Sequence, residues 1–309
     1  MKKIFIDGSV GTTGLRINER LSGRDDVELV VLPEEKRKDP NARKEALNAC
    51  DIAFLCLPDP AAIEAVEMID NPDVVVIDAS TAHRTNEGWC YGFPELSSAI
   101  AERLPGAKRI AVPGCHASGF ISLVYPLMEA GIISNDIKLT CHSITGYSGG
   151  GKKMIAEYEQ DNKAFLLEAP RQYGLTQQHK HLKEMKKITG LSVEPIFCPI
   201  VSDFYSGMTV TVPLFASDLK WGTVSDVKDI LRNKYNGNIV SYTENADDGG
   251  FISGHCLSGK DCMKITVAGN DERILLIAMY DNLGKGASGA AVECLNYVLG
   301  VDPATGLEI

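Results

Sequence analysis

The sequence predicts an α/β protein, a Rossmann-type doubly wound parallel sheet joined to an α+β domain whose sheet is mixed or antiparallel. Three observations predict it. From residue 3 to residue 112, short apolar runs alternate with helical patterns, the rhythm of βαβ units. A glycine-rich turn, Gly8-Ser9-Val10-Gly11-Thr12-Thr13-Gly14, follows the first of these runs. Beyond about residue 130 the apolar runs lengthen and alternate with period two, which suits strands with one covered face. A chain of 309 residues is also better matched by two domains than by one.

In order, the first part reads as strand 3–7, helix 12–22, strand 27–32, helix 41–49, strand 51–56, helix 60–69, strand 73–78 and a last strand at 109–112. Val74-Val75-Val76-Ile77-Asp78 is continuous and β-branched, as a strand covered on both faces requires. A helix over 117–130 then leads into strands at 138–145, 197–201, 208–214 and 262–269, with helices over 151–160, 176–189 and 223–235. The small-residue run 286–299 reads as a helix returning to the first domain. The expected division is therefore a dinucleotide-binding domain over 1–115 plus about 286–309, and a catalytic and oligomerisation domain over about 116–285.

Composition narrows the function classes. The chain is 44% hydrophobic and 23% charged, with no uncharged apolar run near the roughly 18 residues that span a bilayer. Residues 1–8 read as a strand and not as a signal peptide, so the expected location is cytoplasmic and no membrane partner is expected. A net charge of -10 argues against nucleic acid as a partner and leaves room for a local phosphate site. Nine cysteines, Cys50, Cys56, Cys90, Cys115, Cys141, Cys198, Cys256, Cys262 and Cys294, include no C-x-x-C pair, so neither a disulfide framework nor a metal cage is expected.

Cys115 is the exception among buried-looking thiols. It stands at the junction of a strand and a helix in Val112-Pro113-Gly114-Cys115-His116-Ala117, where unpaired helix-start N–H groups stabilise a thiolate and an adjacent oxyanion. A nucleophilic thiol on a chain with a dinucleotide turn points to an acyl group held as a thioester and reduced. A histidine is the natural acid–base partner near neutral pH. His179 and His181 are the candidates, and the residues do not choose between them; His116 is weaker because adjacent helical residues diverge.

The cofactor site is read from Gly8, Gly11, Thr12, Thr13 and Gly14, whose backbone approaches a pyrophosphate at a helix start. The second strand ends at Leu32-Pro33 before Glu34-Glu35-Lys36-Arg37-Lys38 and a later Arg43, not at a single acidic residue. Lys36 and Arg37 favour the 2′-phosphate of NADP over NAD, with a solvated charge run as the bland alternative. Ser80 follows a central strand at its carboxyl end, and Asn282 and Lys285 lie in the turn before the last helix; all three are read as cofactor contacts. Arg84, Ser148, Gly149 and Lys152 are read as the substrate site, the last three forming a phosphate or oxyanion cradle.

Several segments together carry a resemblance: Phe5-Ile6-Asp7-Gly8 with Gly11-Thr12-Thr13-Gly14-Leu15, Pro33 to Pro40, Tyr91-Gly92-Phe93-Pro94-Glu95-Leu96, Pro113 to Ala117, and Asp281 to Ala290. Almost end to end, the chain resembles the short form of the N-acetyl-γ-glutamyl-phosphate reductases of arginine biosynthesis. His116 and Ser118 stand where the long form usually has an aromatic residue and Thr or Val. The resemblance implies that Cys115 attacks an acyl phosphate and that NADPH reduces the thioester to N-acetylglutamate semialdehyde. It places an assisting histidine at His179 or His181 and implies a homodimer or homotetramer. Lys183-Glu184 replaces the family's Pro-Glu. The rivals are a related semialdehyde dehydrogenase acting on aspartyl or aminoadipyl phosphate, and a non-catalytic NADP-binding sensor. The aspartate enzyme's R-x6-H arrangement is absent here, as is the S-C-T-T-N segment of glyceraldehyde-phosphate dehydrogenase.

Overall fold

A computed structural model describes all 309 residues, which divide into two compact units. The first comprises Met1–Gly114 and Ala287–Leu307, the second Cys115–Gly286 and Glu308–Ile309. Cys115, read from sequence as the last residue of the first domain, opens the second unit.

The first unit is built from β1 (Lys2–Asp7), α1 (Thr12–Leu21), β2 (Val27–Val30), α2 (Pro40–Ala49), β3 (Ile52–Leu55), α3 (Asp59–Glu67), β4 (Val75–Asp78), β5 (Cys90–Tyr91), α4 (Ser98–Arg103) and β6 (Arg109–Ala111). Its strands form one wholly parallel sheet in the order β2-β1-β3-β4-β6-β5, as the βαβ rhythm predicts. Alternate residues feed two cores. Ile4, Ile6, Ile52, Phe54 and Ile77 pack with Ile17 and Leu21 of α1, while Phe5, Ala53, Leu55 and Val76 pack with Ala46, Leu47, Ala62 and Ala65 of α2 and α3. Asp39 starts α2 by accepting from the N–H groups of Asn41 and Ala42, with Pro40 as the first helical residue.

The second unit follows as α5 (Cys115–Glu129), β7 (Thr140–Gly146), α6 (Gly151–Glu159), β8 (Arg171–Gln172), α7 (His181–Thr189), β9 (Ile196–Ser202), β10 (Met208–Phe215), α8 (Val224–Lys234), β11 (Val240–Tyr242), β12 (Met263–Gly269) and β13 (Arg273–Tyr280). Its seven strands run β11-β12-β13-β10-β7-β9-β8, with β7–β9 and β11–β12 parallel and the remaining pairs antiparallel. Parity along the strands separates two faces. Cys141, Phe197, Val210, Val212, Leu276 and Ala278 are buried on one, where α5 packs; His142, Ile144, Ile196, Phe215 and Leu275 are exposed on the other. The last helix, α9 (Gly289–Leu299), returns to the first unit and adds Ala290, Ala291, Cys294 and Leu295 to the core with α1.

Two differences from the sequence reading matter for the site. The helix expected over 176–189 begins only at His181. Gln177 takes a left-handed φ of 55°, and its side-chain amide pairs with both the N–H (2.9 Å) and the carbonyl (2.7 Å) of Phe197, so a turn replaces the first helical turn. Strand β13 carries no period-two pattern in Arg-Ile-Leu-Leu-Ile-Ala-Met-Tyr, because it lies between β10 and β12 with most of both faces covered.

Candidate active site

Cys115 is the first residue of α5, and the sheet beneath that helix supplies its surroundings. Tyr280, the last residue of β13, donates its hydroxyl to the Cys115 carbonyl (2.5 Å) and accepts from the Gly119 N–H (3.1 Å). Gly286 lies against the same residue; a Cβ there would stand 3.2 Å from the Cys115 Cβ, tighter than ordinary contact. Burial first, and the neighbouring Cys115 second, push the Tyr280 phenol upward, so it stays protonated and remains a donor.

His116 turns to the sheet. Its Nδ1 is 2.6 Å from Ser143 Oγ on the covered face of β7, and its Nε2 is 2.6 Å from the Tyr173 hydroxyl just beyond β8. Burial lowers the His116 pKa to about 3, with His179 adding to the shift, so the ring is neutral at physiological pH. A neutral imidazole has one N–H to give, and the two hydroxyls must therefore bond in opposite senses. Tyr173 is also pushed upward, mainly by burial and secondarily by Cys115, and keeps its proton.

The two candidate histidines join this group. The His179 ring centroid lies 5.9 Å from that of His116 and 4.7 Å from that of His181, and His181 lies 5.7 Å from His116. His179, in the turn before α7, accepts the backbone N–H of His181 at Nδ1 (3.2 Å), which leaves its proton on Nε2 when the ring is neutral. His181 is buried as the first residue of α7. Sequence reasoning ranked His116 low and missed Tyr173 and Ser143. One signal was present for Ser143: a polar residue at a core-facing position of an alternating strand needs a partner.

The predicted cradle is partly closed. The N–H groups of Tyr147 and Ser148 are taken by the carbonyls of Phe204 and Tyr205, and Ser148 is buried with its hydroxyl accepting from Asn282 Nδ2 (2.9 Å). Gly149 and Lys152 are exposed at the start of α6. The Asn282 carbonyl oxygen accepts from the Gly207 N–H (2.8 Å), so its amide braces two loops and a nicotinamide contact would fall to its second amide hydrogen. Lys285 is buried in the turn that Asp281 shapes by accepting from Ser206 Oγ and the N–H groups of Gly259, Leu283 and Gly284.

In the first unit, Gly8 and Gly14 make the close approach expected of a phosphate turn. Gly8 has φ +88° and a Cβ there would meet the Cys56 carbonyl at 2.3 Å; at Gly14 it would meet the Gly8 carbonyl at 2.4 Å. Gly11 precedes α1, whose start at Thr12 and Thr13 has no side-chain cap and leaves helix-start N–H groups for an anion. Lys36 is exposed in the short turn after β2, and the Nε of the neighbouring Arg37 is buried without a hydrogen-bond partner, as a group awaiting an anion would be. These residues fit a dinucleotide with an extra phosphate.

Three cationic or polar candidates are otherwise engaged. Arg43 donates to buried Asp7 (3.0 and 3.1 Å) and to Glu64, which removes it from the phosphate cluster; burial raises the Asp7 carboxyl against the pull of that pair. Ser80 spends its hydroxyl hydrogen on Asp78 and accepts from the Ala82 N–H, building a turn. Asp78 also holds His83 Nδ1 at 2.6 Å. Arg84 is buried, donating to the carbonyls of Val112 (2.8 Å) and Ala79 (3.1 Å), so part of its fork ties strand ends together.

Comparison with known proteins agrees with this architecture. Residues 3–103 match the family described as semialdehyde dehydrogenase, NAD binding domain, and residues 115–282 match semialdehyde dehydrogenase, dimerisation domain. The chain is 42% identical to N-acetyl-gamma-glutamyl-phosphate reductase 2 of Nostoc, covering 99% of each chain. It is 44% identical to the Pseudomonas putida protein of the same name, covering 98% of each. Aspartate semialdehyde dehydrogenase II of Vibrio cholerae shares the fold, with a TM-score of 0.71 at 18% identity over 97% of this chain and 98% of that one. The NADP-bound Candida albicans enzyme does so with a TM-score of 0.68 at 16% identity, over 97% and 99%. The chain belongs to the N-acetyl-γ-glutamyl-phosphate reductase family.

Proposed function

We propose that this protein reduces N-acetyl-γ-glutamyl phosphate to N-acetylglutamate 5-semialdehyde with NADPH, releasing phosphate, as a cytoplasmic enzyme of arginine biosynthesis. The observation that carries the reading is a cysteine at a helix start, grouped with His116, Tyr173, His179 and His181, in a chain whose full-length relatives bear that name. The Cys115 thiolate attacks the acyl carbon, the carbon–oxygen bond to phosphate breaks, and phosphate leaves with the electron pair, giving a thioester. NADPH, when bound, would supply the hydride that takes the acyl carbon to the aldehyde level. His179 gives its Nε2–H as a hydrogen bond to the oxygen that becomes negative, and the Cys115 thiolate leaves as the carbonyl re-forms. His181 acts as a positioning residue through the N–H that fixes the His179 tautomer. Gly8, Gly11, Thr12, Thr13 and Gly14 would hold the pyrophosphate, and Lys36 and Arg37 the 2′-phosphate. Gly149 and Lys152, exposed at the start of α6, would face the substrate phosphoryl group.

The working assembly is a homodimer through the part of the second sheet face that stays exposed, at Ile144, Ile196, Phe215 and Leu275. The dimerisation-domain match over 115–282 supports this choice. The test is the reverse reaction, followed by absorbance of reduced cofactor, with phosphate, NADP and either N-acetylglutamate semialdehyde or aspartate semialdehyde. Phosphate-dependent turnover of the acetylated aldehyde alone is expected; preference for aspartate semialdehyde would move the substrate to the related enzyme class.

A further inference from the structure

We infer that Arg171 is the residue that binds the α-carboxylate of the substrate. The inference rests on the proposed reaction, whose substrate carries a carboxylate at one end and an acyl phosphate at the other. Arg171 lies on β8, two residues before Tyr173, and the N–H of Tyr173 continues the pairing of that strand by donating to Pro199 (3.0 Å). Residues two apart on a strand share a face, so Arg171 stands on the side of β8 that carries the Tyr173 hydroxyl to His116.

The guanidinium of Arg171 is partly buried and has no carboxylate partner, although the chain has ten more acidic than basic residues. Its Nε and Nη2 both donate to one atom, the Tyr158 hydroxyl, at 3.2 and 2.9 Å, and its carbon lies 5.3 Å from the centre of that ring. Two donors on a single neutral oxygen aim the fork without neutralising it, and a planar cation so held is built for a planar anion. Tyr158 is itself fixed, buried and stacked on Tyr147 at 4.7 Å between ring centres.

The test compares N-acetylglutamate semialdehyde with 4-acetamidobutanal, the same aldehyde without its carboxylate, in the reverse assay with wild type, Arg171→Gln and Arg171→Lys. Wild type should prefer the carboxylated aldehyde about 100-fold in kcat/KM, the worth of a charged bidentate contact. Arg171→Gln should raise KM for that aldehyde about 100-fold with little change in kcat, leave the decarboxylated one unchanged, and so abolish the preference. Arg171→Lys should retain part of it. Equal loss on both aldehydes, or a preference that survives in Arg171→Gln, would overturn the assignment. Circular dichroism and NADPH binding check that the variants fold. Absence of turnover by wild type on either aldehyde would count against the parent reaction and the inference together, whereas wild-type turnover with no discrimination would count against Arg171 alone.

Discussion

Replacing His116 with Asn should lower stability at neutral pH and, unusually, narrow its own deficit as the solution is acidified. The shorter amide side chain of His116→Asn retains one of the two hydroxyl contacts and strands the other, a loss of about 1–3 kcal/mol, and the missing ring volume brings the total to about 2–4 kcal/mol. The pH dependence comes from burial. Folding holds the His116 pKa near 3, whereas an unfolded histidine titrates near 6.5. Between those values the unfolded chain binds the extra proton, so the contribution of neutral His116 is complete above pH 6.5 and is lost as the pH falls toward 3. By pH 5 the wild type forfeits about 2 kcal/mol that the variant, with nothing to titrate there, does not. Urea unfolding followed by tryptophan fluorescence at pH 7.5, 6 and 5 gives both curves, and the histidines remote from His116 cancel in the difference. Parallel wild-type and variant curves across that range would refute the neutral, buried assignment of His116 and with it the opposed hydroxyl bonds.

Lys36→Ala with Arg37→Ala should weaken NADPH binding by about 10- to 100-fold while leaving NADH nearly unchanged, measured by fluorescence titration; equal losses would remove the 2′-phosphate reading. Arg43→Met leaves Asp7 buried without its cation and should cost about 3–5 kcal/mol in urea unfolding, yet leave the preference of NADPH over NADH intact. A lost preference would return Arg43 to the cofactor site. Ile144→Asp sets a charge on the exposed part of that sheet face in each copy and, on the proposed assembly, should turn a wild-type dimer into a monomer in sedimentation velocity; an unchanged assembly would place the interface elsewhere.

The alternation of short apolar runs and helical patterns was enough to read the first unit, because each strand is local in sequence and each glycine of the first turn has a backbone task. The second unit was legible where strands alternate, as in β7 and β10, and illegible at β13, where burial on both sides erases the period. Cys115 was visible because a Pro-Gly turn and an apolar helix bracket it. The group behind it was not: Ser143, Tyr173 and His116 are brought together by the pairing of β7, β9 and β8 and by the packing of α5, and these long-range contacts leave no mark on local spacing. The same cause explains Arg43 and Ser80. Their residue types suit a phosphate site, and only the positions of Asp7 and Asp78 reveal that both are already engaged.

A thioester on Cys115 is open to direct observation by mass spectrometry of the protein incubated with N-acetylglutamate semialdehyde and NADP in the absence of phosphate. One N-acetylglutamyl group is expected on the peptide containing Cys115, discharged by added phosphate and absent from Cys115→Ser. Turnover with no adduct at Cys115, or an adduct that persists in the serine variant, would contradict it.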